Sequence, residues 1–243
     1  MFADMLEKDK DPMGQAIAEF HKKGRAVKLR VFSSMFYEDN IPVATLFREF
    51  DGMPRLEQEM LKRAEGRVLD VGAGSGCHSL ELMKMGKETV AIDISELSVE
   101  VMKDRGVDAR CVDFFDERFC EQFDTIIMAM NGIGIVGRVE RLPEFFKRAK
   151  QLLNAGGCIL LDSSDLRYVF ENEDGSLDID LAAGYYGEVD YAMKYRTVQG
   201  DSFDWLYIDF ATLQMYANES GFECEKVADG DHYDYLACLS LPS

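Results

Sequence analysis

The chain has 243 residues, 47% hydrophobic and 30% charged, and its 45 acidic side chains against 27 basic ones give a net charge of −18. That is enough apolar material for one domain with a sizeable core, and the acidity disfavours the basic surface that DNA or a large RNA would need. The longest apolar runs are too short to cross a bilayer, and the stretch from Asp4 to Asp11 is charged rather than apolar, so the expectation is a cytoplasmic protein without membrane association.

Pro12 near one end and Gly24 just past the other bracket a helix over residues 12–23. A loop-like segment, 33–40, carries Phe36, Tyr37 and Glu38. A short helix follows Pro42, from Val43 to Phe50, and another runs from Pro54 to about Ala64, stopped by Gly66. From Arg67 onward strands and helices alternate. Strands are expected at 67–71, 88–93, 107–112, 123–129 and 157–162, and helices at 75–85, 96–105, 138–153 and, briefly, 116–121. Such alternation predicts a parallel sheet with helices on both faces.

The pattern changes after Ser164. Glu171–Asp180 is acidic and reads as a loop. Val189, Tyr191, Met193, Tyr195 and Thr197 then recur with the period of a half-exposed strand, and Phe203–Asp209 reads as its return. Ala211–Ser220 is a helix, and Phe222–Val227 with Tyr235–Leu241 form a terminal antiparallel pair. Nine of the ten tyrosines follow residue 167. An aromatic and acidic lining there would suit a cationic or polar small acceptor, although strand composition and a solvated acidic face explain the same residues. Cys77, Cys111, Cys120, Cys158, Cys224 and Cys238 have no C-x-x-C spacing and no histidine placed to suggest a zinc ligand set, which predicts free thiols and no metal site.

The chemistry concentrates at Arg67-Val-Leu-Asp-Val-Gly-Ala-Gly-Ser-Gly-Cys77, a buried-type strand running into a glycine turn. Turns at the carboxyl ends of such strands bind ligands, and glycines let the ligand approach the backbone. Gly72, Gly74 and Gly76 are spaced G-x-G-x-G, whereas the dinucleotide fingerprint needs its third glycine at the position of Cys77. Asp93 ends the next strand, where an acid accepts hydrogen bonds from ribose hydroxyls.

In these residues the chain resembles the class I S-adenosylmethionine (SAM)-dependent methyltransferases. Val68–Gly76 is similar to their first motif, Ala91–Ser95 to the second, Cys111–Phe115 to the third, Phe123–Asn131 to the fourth strand, and Leu152–Leu161 to the helix, turn and strand that follow. The resemblance is close over roughly 55–165 and continues by pattern beyond. It implies a single domain with a doubly wound, mostly parallel seven-stranded sheet and a C-terminal antiparallel hairpin. Residues 1–66 would be an N-terminal helical cap, 67–164 the cofactor-binding core, 165–209 a substrate-side insertion and 210–243 the closing helix and hairpin. The cap and insertion together would form the lid.

The resemblance further implies SAM as cofactor and a small molecule as acceptor. Asp70, Gly72, Ala73, Gly74 and Gly76 would pack around the methionine part, Asp93 and Ile94 would hold the ribose, Asp113 and Phe114 the adenine, and Met130 and Asn131 would face cofactor and acceptor. No obligatory catalytic group is expected, because methyl transfer rests largely on positioning. Asn131, His78 and Tyr37 are the candidates: Asn131 at the fourth strand's end, His78 as a neutral acceptor whose pKa the helix start would lower, and Tyr37 closing over the cofactor. Asn131-Gly132 departs from the N-P-P-Y of amino-group methylases acting on nucleic acid or glutamine. Arg48 reads as a helix-surface residue, with pairing to the cofactor carboxylate as the alternative. The alternatives are a SAM-binding regulatory protein that transfers nothing, an NAD-dependent oxidoreductase, and an aminopropyl transferase. The sequence sets neither the acceptor nor an oligomeric state.

Overall fold

A computed structural model describes residues 5–172, 174–179 and 184–242, so residues 173 and 180 of the expected acidic loop lie outside it. In chain order the elements are α1 (Pro12–Lys23), β1 (Leu29–Phe32), β2 (Asp39–Ile41), α2 (Arg55–Arg63), β3 (Arg67–Val71), α3 (Cys77–Lys84), β4 (Glu88–Asp93), α4 (Glu96–Asp104), β5 (Asp108–Cys111) and β6 (Phe123–Met128). There follow α5 (Leu142–Leu152), β7 (Leu153–Ser164), β8 (Glu188–Tyr195), β9 (Val198–Gln199), β10 (Phe203–Leu206), α6 (Phe210–Glu219), β11 (Glu223–Asp229) and β12 (Asp234–Ser240).

The main sheet has the order β11-β12-β7-β6-β3-β4-β5. The pairs among β5, β4, β3, β6 and β7 are parallel, and β12 runs antiparallel to both of its neighbours. This is the seven-stranded sheet with terminal hairpin that the resemblance implies. Its strands alternate between two cores. Leu69, Ile126, Ile159 and Leu161 pack with Phe145 and Phe146 of α5, whereas Val68, Ile127 and Leu160 pack with Leu56, Met60 and Leu61 of α2 and Leu82 of α3. The central strands are therefore largely apolar, as burial on both faces requires, whereas the edge strands β5 and β11 carry charged residues. The order reverses between β3 and β6, and the glycine turn after β3 sits at that switch point.

The segments outside the main sheet are less helical than the sequence predicts. A second sheet, of order β10-β8-β1-β2 with β9 beside β8, joins the N-terminal region to the region after residue 184. Val31 lies opposite Met193 and Phe203 opposite Tyr191. The cap thus contributes strands β1 and β2, and β2 falls on the tail of the segment expected to be a loop. Two 3-10 turns, Val43–Phe47 and Phe50–Gly52, replace the helix expected after Pro42, and turns replace the one expected at 116–121.

α1 carries the second sheet onto the core. Asp11 caps α1 by accepting from the Gly14 N–H at 2.7 Å, and its other oxygen accepts from Ser95 Oγ, itself the cap of α4. Glu19 on α1 accepts from Tyr195 Oη at 2.9 Å and from Arg196. At the opposite end, Trp205 of β10 lies against the Gly134 backbone: a Cβ there would stand 2.1 Å from the indole. Gly134→Ala should therefore displace the lid. The expected result is a loss of about 1–3 kcal/mol in denaturant unfolding, with a shifted emission from Trp205, the chain's single tryptophan. An unshifted spectrum would show that the indole is not seated there.

Candidate active site

One cavity of about 1150 Å³ opens between the carboxyl ends of the main-sheet strands and the second sheet. Ligand pockets hold roughly 300–1,000 Å³, so it has room for a cofactor and a second small molecule. The glycine turn borders it. Gly72, Gly74 and Gly76 all have positive φ (67°, 57° and 78°), a conformation in which side chains are strained. At Gly72, moreover, nothing lies within 4 Å of where a Cβ would stand, so the backbone is open to a ligand. Asp70, beneath the turn, is buried and accepts from Ser79 Oγ at 2.5 Å; burial raises its pKa.

Asp93 ends β4. Its Oδ2 accepts from the Gly74 N–H at 2.9 Å and its Oδ1 from the Ser95 N–H at 2.8 Å. Burial pushes its pKa up to about 6, against those two bonds and with the charges of Asp11 and Asp70. An acid so placed is short of donors, as a ribose-binding carboxylate would be before its hydroxyls arrive. Ile94 is exposed beside it at the cavity, and its carbonyl accepts from the Leu6 N–H at 3.3 Å. The residues present thus fit an adenosyl ligand.

Asp113 borders the cavity and accepts from the Phe115 N–H at 2.7 Å. Phe114 also borders it but is 3% exposed, its ring stacked on Phe145 in the core. The neighbouring Phe115 is half-buried at the cavity and carries the Arg141 guanidinium over its ring at 4.6 Å, so it offers an aromatic surface that the sequence reading passed over.

Four expectations need correction. Asn131 is buried and turned inward: its Nδ2 donates to the Leu206 carbonyl at 3.0 Å and its Oδ1 accepts from Ser163 Oγ at 2.7 Å, so its amide is committed to the scaffold. What faces the cavity is Met130. Both residues have positive φ (60° and 56°), a strained turn at the end of β6. His78 is not a neutral acceptor. It is buried with Nε2 2.7 Å from Glu57 of α2; burial opposes its charge, but the hydrogen bonds to Cys77 and Glu57 outweigh burial and raise its pKa well above the ordinary value. Arg48 is not on a helix surface but buried, paired through Nη2 with both oxygens of Glu57. The three form a charged cluster behind the glycine turn. Tyr37, finally, is wholly exposed at the cavity rim and covers nothing.

The aromatic lining weighed in the sequence comes from Tyr191 and Trp205 of the second sheet, with Tyr207 just after β10 and Tyr168 beside them. One feature escaped the sequence reading. Asp162, on the β7 face that carries Leu160, accepts from the Asn131 N–H at 3.0 Å with one oxygen, while the other is buried without a partner. Burial pushes its pKa up to about 7.

This sheet order, with a glycine turn at the switch point and an acid ending the next strand, defines a cofactor-dependent enzyme of the methyltransferase type. The family profile described as a methyltransferase domain matches residues 68–157. A SAM-dependent methyltransferase from Bacteroides fragilis, solved in complex with S-adenosyl-L-homocysteine (SAH), is 60% identical, covers 98% of each chain and superposes with a TM-score of 0.93. The cypemycin N-terminal methyltransferase of a Streptomyces species is 33% identical over 106 residues, 42% of this chain, which spans only 43% of that relative. An uncharacterized methyltransferase of Staphylococcus carnosus is 28% identical over 166 residues, 61% of this chain and 80% of its own. The chain belongs to the class I SAM-dependent methyltransferases, and SAM is its cofactor. No helix among the described residues is long and apolar enough to cross a membrane.

Proposed function

We propose that the enzyme methylates a small molecule bound between the glycine turn and the second sheet. The observation that carries this is a continuous cavity, bordered on one side by Gly72, Asp93 and Asp113 and on the other by the aromatic residues of β8 and β10. A net charge of −18 argues against nucleic acid as the acceptor.

SAM supplies an electrophilic methyl that needs no activation by the protein. Within 67–164, Asp70 and the turn Gly72-Ala73-Gly74 with Gly76 would pack on the methionine part, Asp93 with Ile94 would hold the ribose, and Asp113 with Phe114 and Phe115 would hold the adenine. Met130, which borders the cavity, would stand where the cofactor and acceptor halves meet. Residues 1–66 and 165–209 would act as the lid that excludes water and orients the acceptor, while 210–243 completes the sheet.

Calorimetric titration with SAM and SAH tests the cofactor half, with Kd values expected in about the micromolar range. Labelled-methyl transfer from SAM into a small-molecule extract tests the acceptor half. Label entering nucleic acid, and no small molecule, would overturn it.

A further inference from the structure

The lid half of the cavity holds a histidine that the cofactor does not use. His232 lies exposed in the turn between β11 and β12 and borders the cavity together with Ser164, Leu166, Tyr168 and Tyr207. Its backbone N–H donates to Asp234 at 2.8 Å, and its imidazole has no partner among the described residues. Asp234 stands opposite Ser164 in the β12–β7 register, and the Tyr233 carbonyl accepts from the Asp165 N–H at 2.9 Å, so the turn sits at the carboxyl end of β7. The next strand, β6, has Met128 opposite Leu161 and leads into Met130 at the same cavity. From β12 to β6 is two strand spacings, about 10 Å, which leaves room for one small ring between the side chains of His232 and Met130.

Tyr168 links this turn to the second sheet. On the 3-10 turn Leu166–Phe170, its ring stacks on Tyr233 with centroids 4.9 Å apart, and it stands close enough to Tyr191 and Tyr207 to act on both hydroxyls electrostatically. Those hydroxyls are 3.1 Å apart, so one donates to the other and a second proton is left without a partner among the described residues. Burial raises the pKa of both, so they remain protonated donors. The carboxylates of this half are already engaged: Glu38 with Arg30 at 2.5 Å, Asp201 with Lys10 at 2.6 Å and Asp204 with Arg138 at 2.7 Å. Asp39, exposed at the rim, accepts from the Asn40 N–H. What remains for an acceptor is an aromatic wall, a spare hydroxyl proton and an unpartnered imidazole.

We propose that the acceptor is a phenol whose ring packs on Tyr168, Tyr191 and Trp205, whose oxygen accepts from the Tyr191–Tyr207 hydroxyl pair, and whose proton passes to His232. This rests on the methyltransferase reading above. Aromatic rings pack favourably on one another, edge to face or offset. An imidazole takes a proton more readily from a phenol, with a pKa of about 10, than from an alkyl alcohol, close to water at about 15.7. The tyrosine donor stabilises negative charge as it develops on the oxygen. The phenol O–H bond breaks and its proton joins the imidazole. An oxygen lone pair forms the new bond to the methyl carbon, and the electron pair of the broken carbon–sulfur bond stays on sulfur. The proton then leaves the exposed His232 for water, so a phenol and SAM give an aryl methyl ether, SAH and one proton.

4-Nitrophenol reports the proton transfer directly, because its phenolate absorbs at longer wavelength than its neutral form. It is titrated into the SAH-saturated enzyme in a buffer that keeps the free dye neutral, and Trp205 emission gives the affinity. The bound dye should show the phenolate band in wild type and the neutral band in His232→Gln, with SAH binding by calorimetry unchanged. 4-Nitroanisole, which has no proton to give, should bind about tenfold or more weakly. Tyr191→Phe combined with Tyr207→Phe should weaken the dye about tenfold. With labelled SAM in place of SAH, p-cresol should be methylated, about 100-fold more slowly in His232→Gln. Failure of the dye to bind, a neutral bound dye in wild type, or p-cresol left unlabelled overturns the proposal. So does a phenolate band or a p-cresol rate that survives His232→Gln, an affinity unchanged in the double tyrosine variant, or tighter binding of 4-nitrobenzylamine than of 4-nitrophenol. Label entering nucleic acid alone overturns the small-molecule reading instead, and the dye titration, which needs no turnover, still decides this one.

Discussion

Asp93→Ala should lower SAM affinity by at least about 100-fold, since two charge-assisted hydrogen bonds contribute about 1.5–3 kcal/mol each. Asp93 closes β4 at the edge of the cavity, and its two oxygens already order the site by accepting from the Gly74 and Ser95 N–H groups. Removing it therefore loosens the glycine turn as well as deleting the acceptor for the ribose hydroxyls. Asp93→Asn keeps one acceptor oxygen and should fall between wild type and alanine. Burial holds the Asp93 pKa at about 6, above its ordinary value, so the group gains a proton as pH falls through that value. SAM affinity should decline over the same interval in wild type and be flat there in the alanine variant. Calorimetry across pH checks both; alanine-variant affinity within threefold of wild type would remove Asp93 from the site.

Asp93 was legible because an apolar run, Thr89-Val-Ala-Ile, ends in an acid just before a helix cap. Asp162 carries a similar signal, following Ile159-Leu-Leu161, and was passed over because the resemblance assigns no role to that strand end. The main sheet was legible for a general reason: strands covered on both faces are near-continuous apolar runs, and glycines punctuate them. The second sheet was half legible. β8 is long enough for its alternation to stand out, whereas β1 has four residues and β2 three, too few to show a period. The cluster of Arg48, Glu57 and His78 could not be read at all. Each residue, taken alone, looks like an ordinary helix or turn residue, and only the packing of α2 and α3 against the sheet brings the three together.

That cluster yields the largest expected change in stability. Glu57→Ala leaves Arg48 and His78 buried without their hydrogen-bonded counter-charge, and breaking a buried ion pair in this way costs about 3–5 kcal/mol. For a chain of this size that corresponds to a Tm lower by about 10 °C. Replacing all three by apolar residues of similar volume, Arg48→Met, Glu57→Leu and His78→Leu, should recover much of the loss, because no lone charge then remains. The pH dependence identifies the cause. Burial works against the Glu57 charge, but His78 and Arg48 hold its pKa below the ordinary value, so its contribution is lost as pH falls through that lowered value. His78 is raised, so its contribution is full below about pH 6.5 and is lost as pH rises through its higher value. The stability gap between wild type and Glu57→Ala should therefore be widest between about pH 4.5 and about pH 6.5 and narrow on both sides. Because His78 sits in the first turn of α3, directly after the glycine loop, the same substitution should also weaken SAM binding. The triple apolar variant, which restores the packing, should regain part of that affinity. Urea unfolding at a series of pH values measures the gap, and a gap independent of pH would mean that Glu57 contributes through packing rather than charge.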